Sequence, residues 1–281
     1  MAKVFVIDCD LCNGCHSCQI SCKDEHCGND WMPYSRPQPE SGQFWFKLNE
    51  YTRGTVGKMV AGTTHTRESS KVKVHYVPMM CQHCDDAPCI TVCKEGAISK
   101  RDDGLVVVDP IKCHGHQECI DACPYGVIYF NQDYRIAQKC TGCAHILDRG
   151  WPIPEPRCVD GCPTEMMKFG EESQFSSEIA QAETLLPEEN TKPRVYYLNI
   201  PKSFIGGTVF DPAADEVVIG AACTLSGDSD ATTTTDGFGD FWFENLPVGT
   251  YTVTVSANGK TWTKADISTE ESVNLGDIPL E

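Results

Sequence analysis

Cys12-Asn-Gly-Cys15-His-Ser-Cys18-Gln-Ile-Ser-Cys22 is the stretch on which the reading of this chain turns. Three thiols at three-residue spacing can wrap a compact inorganic cube corner by corner along a tight turn. A fourth, one helical turn further on, points away toward a neighbouring site. Three more groups follow. Cys81-Gln-His-Cys84 leads to Cys89 and Cys93, and Cys113-His-Gly-His116-Gln-Glu-Cys119 leads to Cys123-Pro124. Cys140-Thr-Gly-Cys143 leads to Cys158 and Cys162-Pro163. Seventeen of the 18 cysteines fall within residues 1–170, with Cys223 alone beyond. Such a density also occurs in secreted disulfide scaffolds, but those are short chains carrying a signal peptide, and nothing at Met1–Asp10 has that pattern. Metal binding is the leading explanation.

The three-plus-one grouping is that of the bacterial ferredoxin run, in which the last cysteine ligates the other cluster of a pair. Zinc ribbons and knuckles use four ligands as two pairs, and leave no use for this grouping repeated four times. Cys22 and Cys93 are followed by Lys rather than Pro, a small departure because the proline shapes the turn and binds no iron. Cys9, Cys27 and Cys223 lie outside the groups and read as small buried fillers. His16, His83, His114 and His145 flank ligand cysteines and are expected to bond cluster sulfurs or face solvent. Neither GxxxxGK[ST] nor GxGxxG is present, nor is a radical-type CxxxCxxC, so nucleotide-driven and radical chemistry have no support.

The 281 residues are enough for two domains at roughly 150 residues each. With 41% hydrophobic and 22% charged residues, wholesale disorder is excluded. No run approaches the ~20 apolar residues of a membrane span, so no direct membrane span is expected. Residues 171–281 hold 19 acids and 5 bases, net −14, whereas residues 1–170 hold 21 acids and 18 bases, net −3. A pI near 4.8 argues against nucleic acid and anionic membranes, which need a basic patch to displace counterions.

Lys3-Val-Phe-Val-Ile-Asp8 reads as a strand entering the first cysteine turn. An insertion, residues 28–80, separates groups one and two. In it the runs 43–51 and 71–77 read as strands divided by a mobile-looking Gly/Thr-rich stretch, with Trp31, Trp45 and the nearby Phe residues as hairpin core, a partner-facing patch being the alternative. The run 105–109 predicts a further strand, and Arg194-Val-Tyr-Tyr-Leu198 a closing one. Phe175, Ile179, Ala182 and Leu186 recur at helical spacing in an acidic segment and predict a helix ended by Pro187 and Asn190. From about Phe204 the texture changes to β-rich runs at 206–210, 217–225, 241–243 and 251–255, separated by Gly, Asp and Pro. That spacing predicts a small antiparallel sandwich. The run holds no His and no paired acids, and reads as a docking module rather than a catalytic site.

On these motifs, residues 1–200 resemble the iron–sulfur subunits of the molybdopterin oxidoreductase (dimethyl-sulfoxide reductase) superfamily. The tail motifs Gly206-Gly-Thr-Val, Thr235-Asp-Gly-Phe-Gly-Asp-Phe241 and Leu246-Pro-Val-Gly-Thr-Tyr resemble a Cna-B or carboxypeptidase-regulatory-like, transthyretin-like sandwich. A ferredoxin subunit with that tail is similar to the small subunits of the pyrogallol–phloroglucinol transhydroxylase type. Asp24-Glu-His and Asn29-Asp-Trp31 strengthen the likeness. The resemblance implies an α+β double ferredoxin-like domain over 1–202, carrying the 28–80 insertion, and an all-β sandwich over 203–281. It pairs group one with four and group two with three. Cys12, Cys15, Cys18 and Cys162 would hold one [4Fe-4S] cluster, and Cys22, Cys140, Cys143 and Cys158 the second. Cys81, Cys84, Cys89 and Cys123 would hold the third. Cys93, Cys113 and Cys119 are left for a fourth, with His116 where the pattern has cysteine. Three readings of that position stay open: a His-ligated cubane, a [3Fe-4S] cluster with His116 unbound, and an empty site.

The resemblance further implies a non-catalytic electron-transfer subunit. Its partner would be a large subunit carrying molybdenum or tungsten with two pterin dinucleotides, and an external donor or acceptor would complete the circuit. The transhydroxylase type lacks the fourth cluster, in keeping with a reaction of no net external redox change. Retention of Cys93, Cys113 and Cys119 therefore favours a phenol hydroxylase or a reductive catechol dehydroxylase acting on polyhydroxylated aromatics. The rivals are a complex acting on formate, nitrate or a sulfur or arsenic oxyanion, and a free-standing polyferredoxin. The expected location is the cytoplasm, with export on a partner's twin-arginine signal as the alternative.

Overall fold

The computed structural model describes residues 2–56 and 70–281. Contacts divide the chain into two units, Met1–Glu50 with Tyr76–Ile200, and Tyr51–His75 with Pro201–Glu281. The reading from sequence kept all of 28–80 with the first domain, whereas the structure groups 51–75 with the tail. Most of the Gly/Thr-rich stretch, residues 57–69, lies outside the described residues.

In the first unit the strand Lys3–Asp8 lies between Met167–Glu171, antiparallel to it, and Val195–Leu198, parallel to it. Val4, Phe5, Val6 and Ile7 are all buried, so both faces of this central strand are covered. The helix Ser17–His26 and the short helices Pro88–Thr91, Glu118–Asp121, Ala144–Arg149 and Arg157–Asp160 carry the cysteine groups. Two small hairpins, Ile98–Lys100 with Val106–Val108 and Tyr129–Asn131 with Ile136–Gln138, separate them. Trp45, Phe46 and Met80 are buried in the same core as Cys18, Cys22, Cys81, Cys84, Cys89 and Cys140. The thiols are thus part of the core rather than its edge.

The helix predicted from Phe175 to Leu186 does not form. A 3₁₀ turn, Glu172–Phe175, and one helical turn, Ser176–Ile179, are followed by irregular chain. Neither turn buries a residue, so no packed face stabilises a longer helix. Glu183 instead exchanges both backbone hydrogen bonds with Tyr197, each at 2.8 Å.

Phe46–Thr55 pairs with Lys71–Met80, and in the second unit the tail, Pro201–Glu281, forms two sheets among the described residues. One pairs Ser203–Asp211 with Glu216–Val217, Asp240–Leu246 and Val273–Pro279, and the other runs Ala231–Thr234, Ala222–Gly227, Thr250–Ala257, Lys260–Ser268. Ile205, Val209, Phe241 and Phe243 form one core with Cys223, Leu225, Tyr251, Val253 and Val255. The sandwich is not wholly antiparallel, because Val273–Pro279 runs parallel to Ser203–Asp211. The run 217–225 is two strands in different sheets, broken where Gly220 takes φ +72°. Residues 51–75 join this unit through Lys71. Its ammonium is buried and donates to Thr208 Oγ1 at 2.8 Å and Asp240 Oδ1 at 2.9 Å. A charge so removed from water requires such partners. Among the described residues no helix is long and apolar enough to cross a membrane.

Candidate metal centres

Each cysteine group opens on a turn whose third residue is left-handed: Gly14 at φ +73°, His83 at +47°, Gly115 at +73° and Gly142 at +61°. A Cβ on Gly14 would stand 2.3 Å from the Tyr76 ring, and one on Gly115 would stand 2.4 Å from the Arg135 carbonyl oxygen, so both positions require glycine. Groups one and three repeat one another closely. In each, the glycine is followed two residues later by a second left-handed residue, His16 at +60° and Gln117 at +70°, immediately before the helix. Short helices then place Cys18 and Cys22, Cys89 and Cys93, Cys119 and Cys123, and Cys158 and Cys162 one turn apart, so each pair can serve adjacent sites.

The thiols gather in four sets. Cys18 interacts electrostatically with Cys162, Cys12 and Cys15. Cys158 interacts with Cys22, Cys143 and Cys140. Cys81, Cys84, Cys89 and Cys123 line one cavity. Cys93, Cys113 and Cys119 line another, together with His116 and Glu95. The helical turns link set one to two and set three to four, and Cys140 interacts with Cys81 to join two to three. Set two is wholly buried. Cys15 is exposed at one end of the row, and Cys93 and Cys113 are half-buried at the other.

Burial pushes the thiols of Cys18, Cys89, Cys140 and Cys143 up to about 12. Held there as thiols they are neutral, and only a strongly cationic occupant can displace their protons. Cys15, on the surface, is lowered by the Ser17 hydroxyl. Among the described residues no three of His, Cys, Asp and Glu converge as a single ion requires. Zinc would draw its sulfurs to about 2.3 Å from one point. Thiols ringing cavities fit a polynuclear cluster instead, and the all-sulfur donor sets match iron–sulfur chemistry.

Lys139 lies fully buried between sets two and three. Its ammonium donates to Cys81 Sγ at 3.3 Å, to the Cys140 carbonyl at 3.1 Å and to the Val106 carbonyl. Burial opposes its charge, but the sulfurs of Cys81, Cys89 and Cys140, once deprotonated as metal ligation requires, outweigh that and hold it above the usual lysine range. Two of the four flanking histidines depart from expectation, whereas His114 is exposed as expected. His83 and His145 are buried, and neither bonds a sulfur through its ring. His83 Nδ1 accepts from the Val106 amide at 2.9 Å, and burial pushes its pKa well down, so the ring is neutral. His145 Nε2 donates to Glu25 at 2.9 Å, and Glu25 also binds Arg157 at 2.9 Å. Trp31 stacks on His145 at 4.5 Å. Among the described residues, the histidine that approaches a sulfur is His26, with Nε2 3.8 Å from Cys143 Sγ. Reasoning from sequence passed over both His26 and Lys139. The signal for Lys139 was its place directly before Cys140.

Residues 72–172 match the 4Fe-4S dicluster domain family, and residues 205–281 match the carboxypeptidase regulatory-like domain family. The chain is 35% identical over 286 residues, spanning 98% of both chains, to the pyrogallol hydroxytransferase small subunit of Pelobacter acidigallici. It is 33% identical over 209 residues to a tetrathionate reductase subunit of Salmonella typhimurium, covering 72% of this chain and 74% of that one. It is 31% identical over 248 residues to the arsenate respiratory reductase iron–sulfur subunit of Shewanella sp., covering 69% and 94%.

Proposed function

The chain belongs to the iron–sulfur subunits of the molybdopterin oxidoreductases, and from that premise we propose that it carries four clusters in a row between a large catalytic subunit and an external redox partner. Cys12, Cys15, Cys18 and Cys162 hold the first, and Cys22, Cys140, Cys143 and Cys158 the second. Cys81, Cys84, Cys89 and Cys123 hold the third, and Cys93, Cys113 and Cys119 bind the fourth. When bound, each cluster takes up and releases one electron at a time. The chain's own residues set the conditions for that. The core around sets two and three excludes water, Lys139 puts a fixed positive charge between them, and an exposed cysteine marks one end and half-buried ones the other. No residue of this chain acts on substrate. The partner carries molybdenum or tungsten with two pterin dinucleotides, and the assembly works in the cytoplasm.

The substrate class we propose is a polyhydroxylated aromatic, hydroxylated or dehydroxylated with net electron exchange. The observation that carries it is the match to a pyrogallol hydroxytransferase small subunit over 98% of both chains, tail included. The tetrathionate and arsenate relatives align over 72% and 69% of this chain. Net electron exchange is supported by the cavity that retains Cys93, Cys113 and Cys119. Anaerobic purification of the native complex tests the proposal. A brown complex with a large molybdenum- or tungsten-containing subunit, turning over a polyphenol only with an electron donor or acceptor present, is the expected result. A colourless monomer, or a complex that reduces tetrathionate or arsenate and ignores phenols, overturns it.

A further inference from the structure

We infer that His116 binds iron through Nδ1 as the fourth ligand of the outermost cluster, with Glu95 as the carboxylate that orients its ring. The inference rests on the four-cluster reading and deepens it. The backbone carries the first part of the argument. Gly14 and Gly115 share φ +73°, and His16 and Gln117 are both left-handed just before a helix. Group three therefore repeats the turn of group one, and His116 occupies in it the place that Cys15 occupies in the first. His114 sits one residue after Cys113, where the turn of group one has Asn13.

The cavity carries the second part. Its lining includes Cys93, Cys113, Cys119 and His116, which makes three sulfurs and one imidazole. Glu95, from the neighbouring turn, also lines it and lies 3.1 Å from His116 Nε2. A metal-bound histidine commonly donates its second N–H to a carboxylate, which fixes the tautomer and the ring plane. With the Nε2 proton held on Glu95, Nδ1 is the lone-pair nitrogen left for iron. Imidazole replaces thiolate on iron in Rieske centres, where the neutral ligand raises the potential. The same exchange here makes the distal cluster the easier one to reduce, compared with an all-cysteine version.

The holo complex, grown with ¹⁵N-histidine and poised so that each cluster is paramagnetic in turn, reads the ligand directly by pulsed electron paramagnetic resonance. One cluster should show a strongly coupled ¹⁵N, and His116→Cys should abolish that coupling and lower one midpoint potential while keeping the iron. His114→Ala should leave coupling and midpoint unchanged. Glu95→Gln should keep the coupling and raise the same midpoint, because a negative charge is lost beside the ring. Four clusters with no coupled ¹⁵N, or a three-iron signal in the oxidised parent, overturn the histidine ligand and leave the row of sites standing. Iron for only three clusters in the parent refutes the four-cluster reading itself.

Discussion

Lys139 gives the most quantitative test of the row of clusters. Its ammonium has three N–H groups and three acceptors, Cys81 Sγ, the Cys140 carbonyl and the Val106 carbonyl, so it is held as a cation without water. Cys81 belongs to set three and Cys140 to set two. An added electron makes a cluster more negative, and a fixed positive charge beside it stabilises the reduced state. At 3.3 Å from Cys81 Sγ, two unit charges interact by about 5 kcal/mol at an effective dielectric constant of about 20. The electron is spread over the cluster, and assigning roughly a quarter of it to the nearest corner leaves about 1.3 kcal/mol. At about 59 mV per tenfold for one electron, this is roughly 50 mV, with more from the remaining corners. Lys139→Met should therefore lower the set-three midpoint by at least about 50 mV and the set-two midpoint by less, leaving the end clusters in place.

Redox-poised electron paramagnetic resonance of the intact complex, with iron analysis beside it, measures this. Methionine also leaves two carbonyls unpaired, at about 1–3 kcal/mol each, so some loss of thermal stability accompanies the shift. Lys139→Gln separates charge from hydrogen bonding, since it keeps donors and removes the cation. Both variants should shift alike, and Lys139→Arg should stay near the parent. If Lys139→Gln retains full iron and its four midpoints overlay the parent's, the charge plays no part in tuning and the reasoning fails.

Cys84→Ser should remove one cluster's worth of iron, about four atoms of roughly 16, and sharply reduce thermal stability because metal binding and folding are coupled; unchanged iron would take Cys84 out of the ligand set. Deleting residues 203–281 should leave iron content and visible spectrum intact, since no ligand lies there, while residues 51–55 and 71–75 become readily cleaved in limited proteolysis; lost iron would show that the tail protects the clusters. Lys71→Met removes the buried ammonium from Asp240, whose half-exposed carboxylate keeps the Thr208 hydroxyl, and should destabilise the second unit by about 1–3 kcal/mol, read as faster amide hydrogen exchange along Ser203–Asp211. Unchanged exchange there would mean the ion pair contributes nothing to the sandwich.

What could be read from sequence follows how locally the chemistry is written. The turns, their glycines and the three-plus-one cysteine runs are local, and each lies where its spacing put it. Which group faces which is not local. Spacing says nothing of Cys162 meeting Cys12, and that pairing came only through the resemblance. The structure supplies a physical reason. Cys12 follows the strand Lys3–Asp8 closely and Cys162 shortly precedes Met167–Glu171, and the antiparallel register Ile7↔Met167 brings the two ends together. Lys139 was invisible for a different reason. A lone lysine reads as a solvated side chain, and only the fold shows sulfur and carbonyls closing around it. The acidic helix failed because its periodic apolar residues had no surface to pack against, and periodicity alone carries no tertiary contact. The sandwich was legible in outline, but a final strand pairing parallel with Ser203–Asp211 leaves no mark in alternation, which is the same for either direction. Between Cys81 and Cys162 the elements are short helices and three-residue strands, too short for periodicity to register. They can be so short because much of the centre they enclose is sulfur. A core built to close around inorganic clusters does not need long apolar stripes, and so the strongest fold signal in this chain is also its functional signal.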